Sequence, residues 1–348
     1  MKTVKFKTLY LKKRFPLKIS RGIFSGSENL FVLISNGKNV GLGEMCPGAT
    51  EGAESAKVGQ KHLEDFLRER GSLSGSILDT YLNAIDFGIA PCAIAALDMA
   101  LWDLRAKEAN MTLFRLFGLG LPKVSTSITI GIMTPEEVRE RVRYLKEKGM
   151  LENLKIKLGS PEGIDHDKEM FVAIFETIQN GSIKLRVDAN GGWSVEDAHK
   201  MLIWLQERNV EYVEQPLAWG EEENLRFLFK DRPLPLFVDE SCRNSKDIPY
   251  LSEYVDGINL KLMKCGGLTE AIRMVGVSRA HNLKTMIGCM GESSVSISAG
   301  AAIGALFDYI DLDSHLNIDP NPTSGPLLVN GIVTPQEIPG HGGSLKDA

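Results

Sequence analysis

The sequence predicts an α/β protein in which a closed barrel of parallel strands follows a separate α+β domain. From about Val124 onward, short apolar runs alternate with helical periodicity, the texture of a parallel sheet with crossover helices. The runs fall at 124–130, 153–158, 183–188, 211–214, 235–239, 257–262, 284–288 and 308–312. Eight at nearly even spacing is the count that closes a barrel. An open doubly wound sheet is the alternative. It would carry a glycine-rich phosphate turn after its first strand, and GIMTPE at 131–136 is not one.

A chain of 348 residues is too long for most single cores, so two packed units are expected: 1–118, and a barrel over 119–318. The tail 319–348, rich in Pro and Gly, is expected to run back over the first unit. A hydrophobic fraction of 43% is ordinary for a globular chain, and a net charge of −5 offers no general attraction to nucleic acid or acidic lipid. The first eight residues read as a charged strand and not as a secretory signal, and no apolar run approaches the roughly 18 residues that span a bilayer. Cys46, Cys92, Cys242, Cys265 and Cys289 lack close metal-ligand pairing and fit a reducing cytoplasm. The last three recur at intervals near 24 and could share a soft-metal site, although small cysteines packed between strands are commoner.

In the first unit, residues 3–10, 30–35 and 40–43 read as an antiparallel meander that turns at Asn36 and Gly37. The polar stretch 15–29, with Arg21, reads as a loop, and 46–55 as a second one ending in an acidic helix start at Glu51 and Glu54. Helical periodicity follows over 51–69 and 91–109, the latter with Ile94, Leu97, Ala100, Leu101 and Leu104 on one face.

Asp188, Glu214 and Asp239 each close an apolar run, 26 and 25 residues apart. That interval is one strand-helix-strand unit, which sets the three acids at equivalent ends of successive parallel strands. One acid after a strand commonly caps the next helix. Three in register, flanked by lysines, favour a hard divalent cation such as Mg²⁺ or Mn²⁺. Lys155 and Lys157 lie two apart and share the inward face of their strand, where a lysine beside a cation and a second lysine is expected to have a lowered pKa and serve as a base. The bland alternative is a lysine pair at a solvated edge. Lys261, on the sixth strand, would approach from the opposite side of the barrel. Two such bases can take a proton from one face of a carbon and return it on the other.

KIK at 155–157, VDANGGW at 187–193, VEQP at 213–216, VDES at 238–241 and NLKLMKCGG at 259–267 together resemble the enolase superfamily, in its muconate-lactonizing subgroup. AIAALDMALWDL at 93–104 is similar to a helix of that subgroup's capping domain. The resemblance implies a (β/α)7β TIM-like barrel under an α+β cap, with one Mg²⁺ held by Asp188, Glu214 and Asp239. It implies Lys157 and Lys261 as opposed acid/base groups working through an enediolate. Lys155 is implied as the neighbour that tunes Lys157 and contacts the substrate carboxylate.

YIDLDS at 309–314 puts Asp311 and Asp313 on one face, matching the pair with which dipeptide epimerases, those acting on Ala-Glu among them, hold a substrate ammonium. A pocket with a cation at one end and two carboxylates at the other suits a zwitterion. Glu292, in GCMGES at 288–293, also resembles those epimerases. Arg21 would suit an acidic side chain through a bidentate pair, and Glu51 a cationic one; an exposed Arg21 without ligand contact is the alternative. Gly266 and Gly267 before a helix could receive an anion. His166, His199 and His281 read as surface residues. The expected function is a Mg²⁺-dependent dipeptide epimerase that inverts the α-carbon of the C-terminal residue of an L-Ala-L-Xaa-type dipeptide, cytoplasmic and homo-oligomeric, with no nucleic-acid or membrane partner. The alternative is a cycloisomerase or an o-succinylbenzoate-synthase-like lyase on the same lysines.

Overall fold

The chain opens with β1 (Thr3–Ile19), β2 (Gly22–Ser35) and β3 (Val40–Met45), an antiparallel sheet in that order. This computed structural model describes residues 2–70, 73, 75–178 and 183–346; Met1 and the last tail residues, Asp347 and Ala348, lie outside the described residues. The stretch 15–29, expected as a loop, is instead part of a long hairpin. Leu17 pairs with Phe24 and Ile19 with Gly22, so that Ser20 and Arg21 form the turn, and the register shifts between Lys12 and Leu17. Arg21 to Ser25 are exposed, whereas Ile19 is buried and Phe15 and Leu17 half-buried, so the inward pattern is confined to a few residues of β1 and the tip has none.

The helices α1 (Ala56–Arg70), α2 (Ile77–Asp86), α3 (Pro91–Glu108) and α4 (Leu113–Leu116) follow. Helix α1 starts later than the expected 51 because Gly48 N–H bonds to Ala53 O (2.8 Å) and Glu51 N–H to Gly48 O (3.1 Å), closing a turn there. Helix α2 is not legible in the periodicity: it buries Tyr81 and Ala84 yet exposes Leu78, Leu82 and Ile85. Its start is fixed by Ser76, whose side chain accepts the Asp79 N–H. Helix α3 lies against β3 so closely that a Cβ on Gly43 would collide with the Ala96 carbonyl.

The barrel strands are β4 (Ile128–Ile130), β5 (Asn153–Lys157), β6 (Lys184–Asp188), β7 (Val210–Glu214), β8 (Leu236–Val238), β9 (Gly257–Lys261), β10 (Lys284–Gly288) and β11 (Tyr309–Asp311). Each is parallel to its sequence neighbour. A parallel bridge from Thr126 to Ile310 closes the ring. Every expected strand is present, the first starting at Ile128 and not at 124. Between the strands run α5 (Pro135–Glu147), α6 (Ile164–Ile178), α7 (Val195–Gln206), α8 (Leu225–Phe229), α9 (Ile248–Leu251), α10 (Leu262–Cys265), α11 (Leu268–Ala280) and α12 (Ser294–Ala302). After β11 the 3₁₀ turn Ser314–Asn317 is the one helical element among the described residues, followed by short strands of the tail, so the architecture is (β/α)7β under an α+β cap.

Two buried cap carboxylates seat the cap on barrel helices. Glu44 on β3 accepts the Ser293 N–H (2.8 Å) and Ser296 N–H (3.0 Å) at the start of α12, while Asp98 on α3 accepts the Thr269 N–H (3.0 Å) at the start of α11. The anion at Gly266 and Gly267 is thus the chain's own Asp98, against which a Cβ on Gly267 would clash. The tail returns to the cap, where His341 N–H bonds Asp103 Oδ1 (2.9 Å) and Gly340 N–H bonds Met111 O (3.0 Å). Among the described residues no helix is long and apolar enough to cross a membrane.

Candidate active site

Parallel pairing puts two tiers of polar side chains at the C-terminal rim of the barrel. Lys157 is in register with Asp188, and Asp188 with Glu214; across the ring, Lys261 is in register with Gly288, and Gly288 with Asp311. Asp239 follows β8 directly. One oxygen from each of Asp188, Glu214 and Asp239 lies within 4.8 Å of the others, and all three residues are buried. Among the described residues this is the one such cluster, and the Cys242, Cys265 and Cys289 thiols form none.

Four lysines face these acids. Lys157 Nζ is 2.5 Å from Asp188 Oδ2 and Lys261 Nζ 2.7 Å from Asp239 Oδ2. Lys155 Nζ reaches Glu214 Oε2 (2.7 Å), Asp311 Oδ2 (2.7 Å) and Asp188 Oδ2 (3.2 Å). Burial penalises the Lys155 and Lys261 ammonium groups, yet the carboxylates around them outweigh it, so both are raised above the ordinary lysine range. Burial also pushes on Asp188, but Lys157 and Lys155 overcome it and hold it at about 2. Glu214, buried and beside Asp188, is pushed up to about 8.

The trio fits a divalent cation. Glu214 Oε2 and Asp239 Oδ1 are buried without a hydrogen bond, although each lies 2.7 Å from an ammonium, that of Lys155 and Lys264 respectively. These close approaches satisfy charge but not direction, and carboxylate oxygens left so are suited to a hard cation. Neighbours aim the ligands: Asn259 Nδ2–H donates to Glu214 Oε1 (2.7 Å), Asn190 N–H to Asp188 Oδ1 (2.8 Å), and Asp239 N–H to Gln215 Oε1 (2.9 Å). Gly288 leaves room for the Asn259 amide, which a Cβ would meet at 2.7 Å.

Above the rim, cap and barrel enclose a cavity of about 610 Å³. Lys157, Lys261, Asp311, Asp313, Arg21 and Glu51 all line it. Asp311 Oδ1 is buried and unpaired. Asp313 Oδ2 accepts the Thr129 N–H (2.7 Å), and burial with Asp311 beside it raises Asp313 to about 6. Arg21 is held at the mouth by Glu240 Oε1 (2.6 Å) and Asn190 O (3.2 Å). Glu51 is buried and accepts the Thr50 hydroxyl (2.6 Å). Lys155 stays behind the wall among its carboxylates. Glu292 is turned away from the cavity: it accepts the Met290 N–H (2.7 Å) and the Ser296 hydroxyl, fixing the loop after β10. His166, His199 and His281 are elsewhere.

Family models agree with this architecture. The mandelate racemase / muconate lactonizing enzyme N-terminal domain matches residues 2–118, and the enolase C-terminal domain-like model matches 136–348. The chain belongs to the enolase superfamily. Within it, a hydrophobic dipeptide epimerase of Roseobacter litoralis is 60% identical over 345 residues, covering 99% of each chain. A second protein of that name, from a Flavobacteria bacterium, is 53% identical, covering 98% of each. A dipeptide epimerase of Enterococcus faecalis, complexed with Mg and L-Leu-L-Tyr, superposes with a TM-score of 0.91 at 30% identity over 98% of both chains.

Against this superfamily frame, Lys264 and Gln215 are site residues without a pattern of their own. Lys264 is buried on α10 and donates to the carbonyls of Asp239, Cys242 and Asn259. Gln215 joins the ends of β7 and β8 through Ser241 as well as Asp239. Their only trace is membership of the NLKLMKCGG and VEQP motifs.

Proposed function

We propose that this protein is a Mg²⁺-dependent dipeptide epimerase that inverts the α-carbon of the C-terminal residue of hydrophobic dipeptides by proton transfer between two lysines. The observation that carries the reading is the bipolar cavity. Lys157 and Lys261 line it from the second and sixth of eight strands, each touching the carboxylate trio, and the unpaired Asp311 Oδ1 lies at the same cavity's wall. The two relatives at 60% and 53% identity support the substrate class.

Asp188, Glu214 and Asp239 would hold Mg²⁺, which when bound supplies positive charge to balance what develops on a substrate carboxylate. Lys157, when neutral, takes the Cα proton from one face, and Lys261, as an ammonium, delivers one to the other; the roles exchange for the opposite epimer. Lys155 adds fixed positive charge beside the trio. Asp311 and Asp313 accept the substrate's free ammonium, and Arg21 and Glu51 border the side-chain space. Glu292 acts through its loop, which sets Met290 Sδ 3.7 Å from Lys261 Nζ.

Lys157→Ala and Lys261→Ala should each lower epimerisation at least about a hundredfold while calorimetric Mg²⁺ binding persists. In D₂O each variant should exchange the Cα proton of one epimer only; full epimerisation by either would exclude the two-base route. A cycloisomerase or lyase on these lysines needs no ammonium site, so unchanged turnover in Asp311→Asn would favour that reading. We also read the chain as a cytoplasmic homo-oligomer divided at residues 118 and 119, to be checked by fractionation, light scattering and limited proteolysis.

A further inference from the structure

The aspartates are not the cavity's whole wall. Phe15, Leu17, Arg141, Tyr144, Leu145 and Leu316 also line it, with Met150, beyond the C-terminal end of α5, and this flank is called the arm below. The arm has a topological cause. No full helix follows β11, so the flank of β4 that an eighth helix would cover is roofed by the shifted segment of β1. Phe15 N–H donates to Asn317 Oδ1 (3.0 Å) and Asn317 Nδ2–H to Phe15 O (2.8 Å), which pins that roof to the turn after β11. The Arg141 guanidinium stacks 4.0 Å from the Phe15 ring centroid, and its Nη1 is buried without a hydrogen-bond partner.

We infer that this arm is the subsite for the side chain of the dipeptide's N-terminal residue, that it takes a large apolar or aromatic side chain, and that Arg141 excludes a cationic one. The inference rests on the dipeptide reading: an ammonium held at Asp311 and Asp313 puts the side chain of the same residue at the arm's entrance. Apolar walls gain from burying such a side chain, and the edge-to-face pair of Phe15 and Tyr144, with ring centroids 5.1 Å apart, offers ring contacts. A second cation brought against the Arg141 guanidinium inside a partly closed cavity meets like charge at short range. With alanine at this position the arm would go unused.

The test measures kcat/KM and calorimetric binding for L-Ala-L-Leu, L-Phe-L-Leu and L-Lys-L-Leu. The unaltered protein should favour the Phe substrate over the Ala substrate by about tenfold or more, with the Lys substrate last. Leu17→Trp and Leu316→Trp, which fill the arm from two elements, should each remove that advantage and leave L-Ala-L-Leu within about twofold. Arg141→Met should raise the Lys substrate selectively. A preference of the unaltered protein for Ala, or a loss of activity by the same factor on the Phe and Ala substrates in both filled variants, overturns the subsite. If epimerisation is intact in that case, the function stands without it. If no dipeptide is epimerised but L-Phe-L-Leu binds and only its binding weakens in the filled variants, the subsite stands and the epimerase reading falls. No binding and no turnover of any of the three overturns both.

Discussion

His315 sits in the turn after β11, buried, with Nδ1 unpaired. Burial disfavours its charged form and lowers its pKa to about 4. An unfolded histidine titrates near 6.5, so the fold's preference for the neutral ring is fully present above about pH 6.5 and is lost as pH falls through about 4. The linked loss is up to about 3 kcal/mol. His315→Gln should shrink the difference in urea midpoint between pH 7 and pH 4.5; an unchanged difference would refute the linkage. Lys264 is the other residue whose removal should be costly. Lys264→Met strands three carbonyls and leaves Asp239 with one ammonium partner fewer, an expected loss of about 3–5 kcal/mol in chemical unfolding. Its Mg²⁺ affinity should weaken as well, since Asp239 would no longer be held from that side.

At the scale of elements, the cap and barrel meet where helix N-termini expect negative charge. Glu44 satisfies two N–H groups of α12 together with the Ser293 hydroxyl (2.6 Å) and the Asn29 amide (2.7 Å). Glu44→Ala should therefore cost about 3 kcal/mol, read as a lower urea midpoint, and should also lower kcat because α12 follows the loop that carries Met290 against Lys261. A loss of stability with kcat unchanged would separate the cap contact from that loop. Elements buried nearly throughout were legible in the sequence: the barrel strands and α3 were found because burial on all sides demands dense apolar runs. The tip of the outer hairpin and α2 were not, because the tip is exposed and α2 carries apolar residues on both faces.

For the whole molecule, the charges at the barrel rim are compensated internally. Asp188, Glu214, Asp239 and Asp311 face Lys155, Lys157, Lys261 and Lys264, all buried. Burial leaves Glu214 raised to about 8 even so. A divalent cation that binds only the folded trio should stabilise the protein by mass action, about 2.7 kcal/mol at a hundred times its dissociation constant. Thermal unfolding should therefore move upward with Mg²⁺ and back with a chelator, and Asp239→Asn should lose most of the response. A midpoint indifferent to Mg²⁺ would argue against the trio as its site.

The sequence by itself determined the strand count, the parallel order and the register of the acids and lysines. Those follow from intervals between strand ends, and a strand of alternating faces dictates which side chains point inward. It also determined the superfamily, through motifs that are themselves strand ends. Only the tertiary structure decided that Glu292 fixes a loop and faces away from the cavity, that Lys264 serves Asp239, and that the cap's Glu44 and Asp98 cap barrel helices. The same holds for the arm beside β4. Each of these depends on a partner far away in the chain, and no local periodicity encodes which distant surface a side chain will meet.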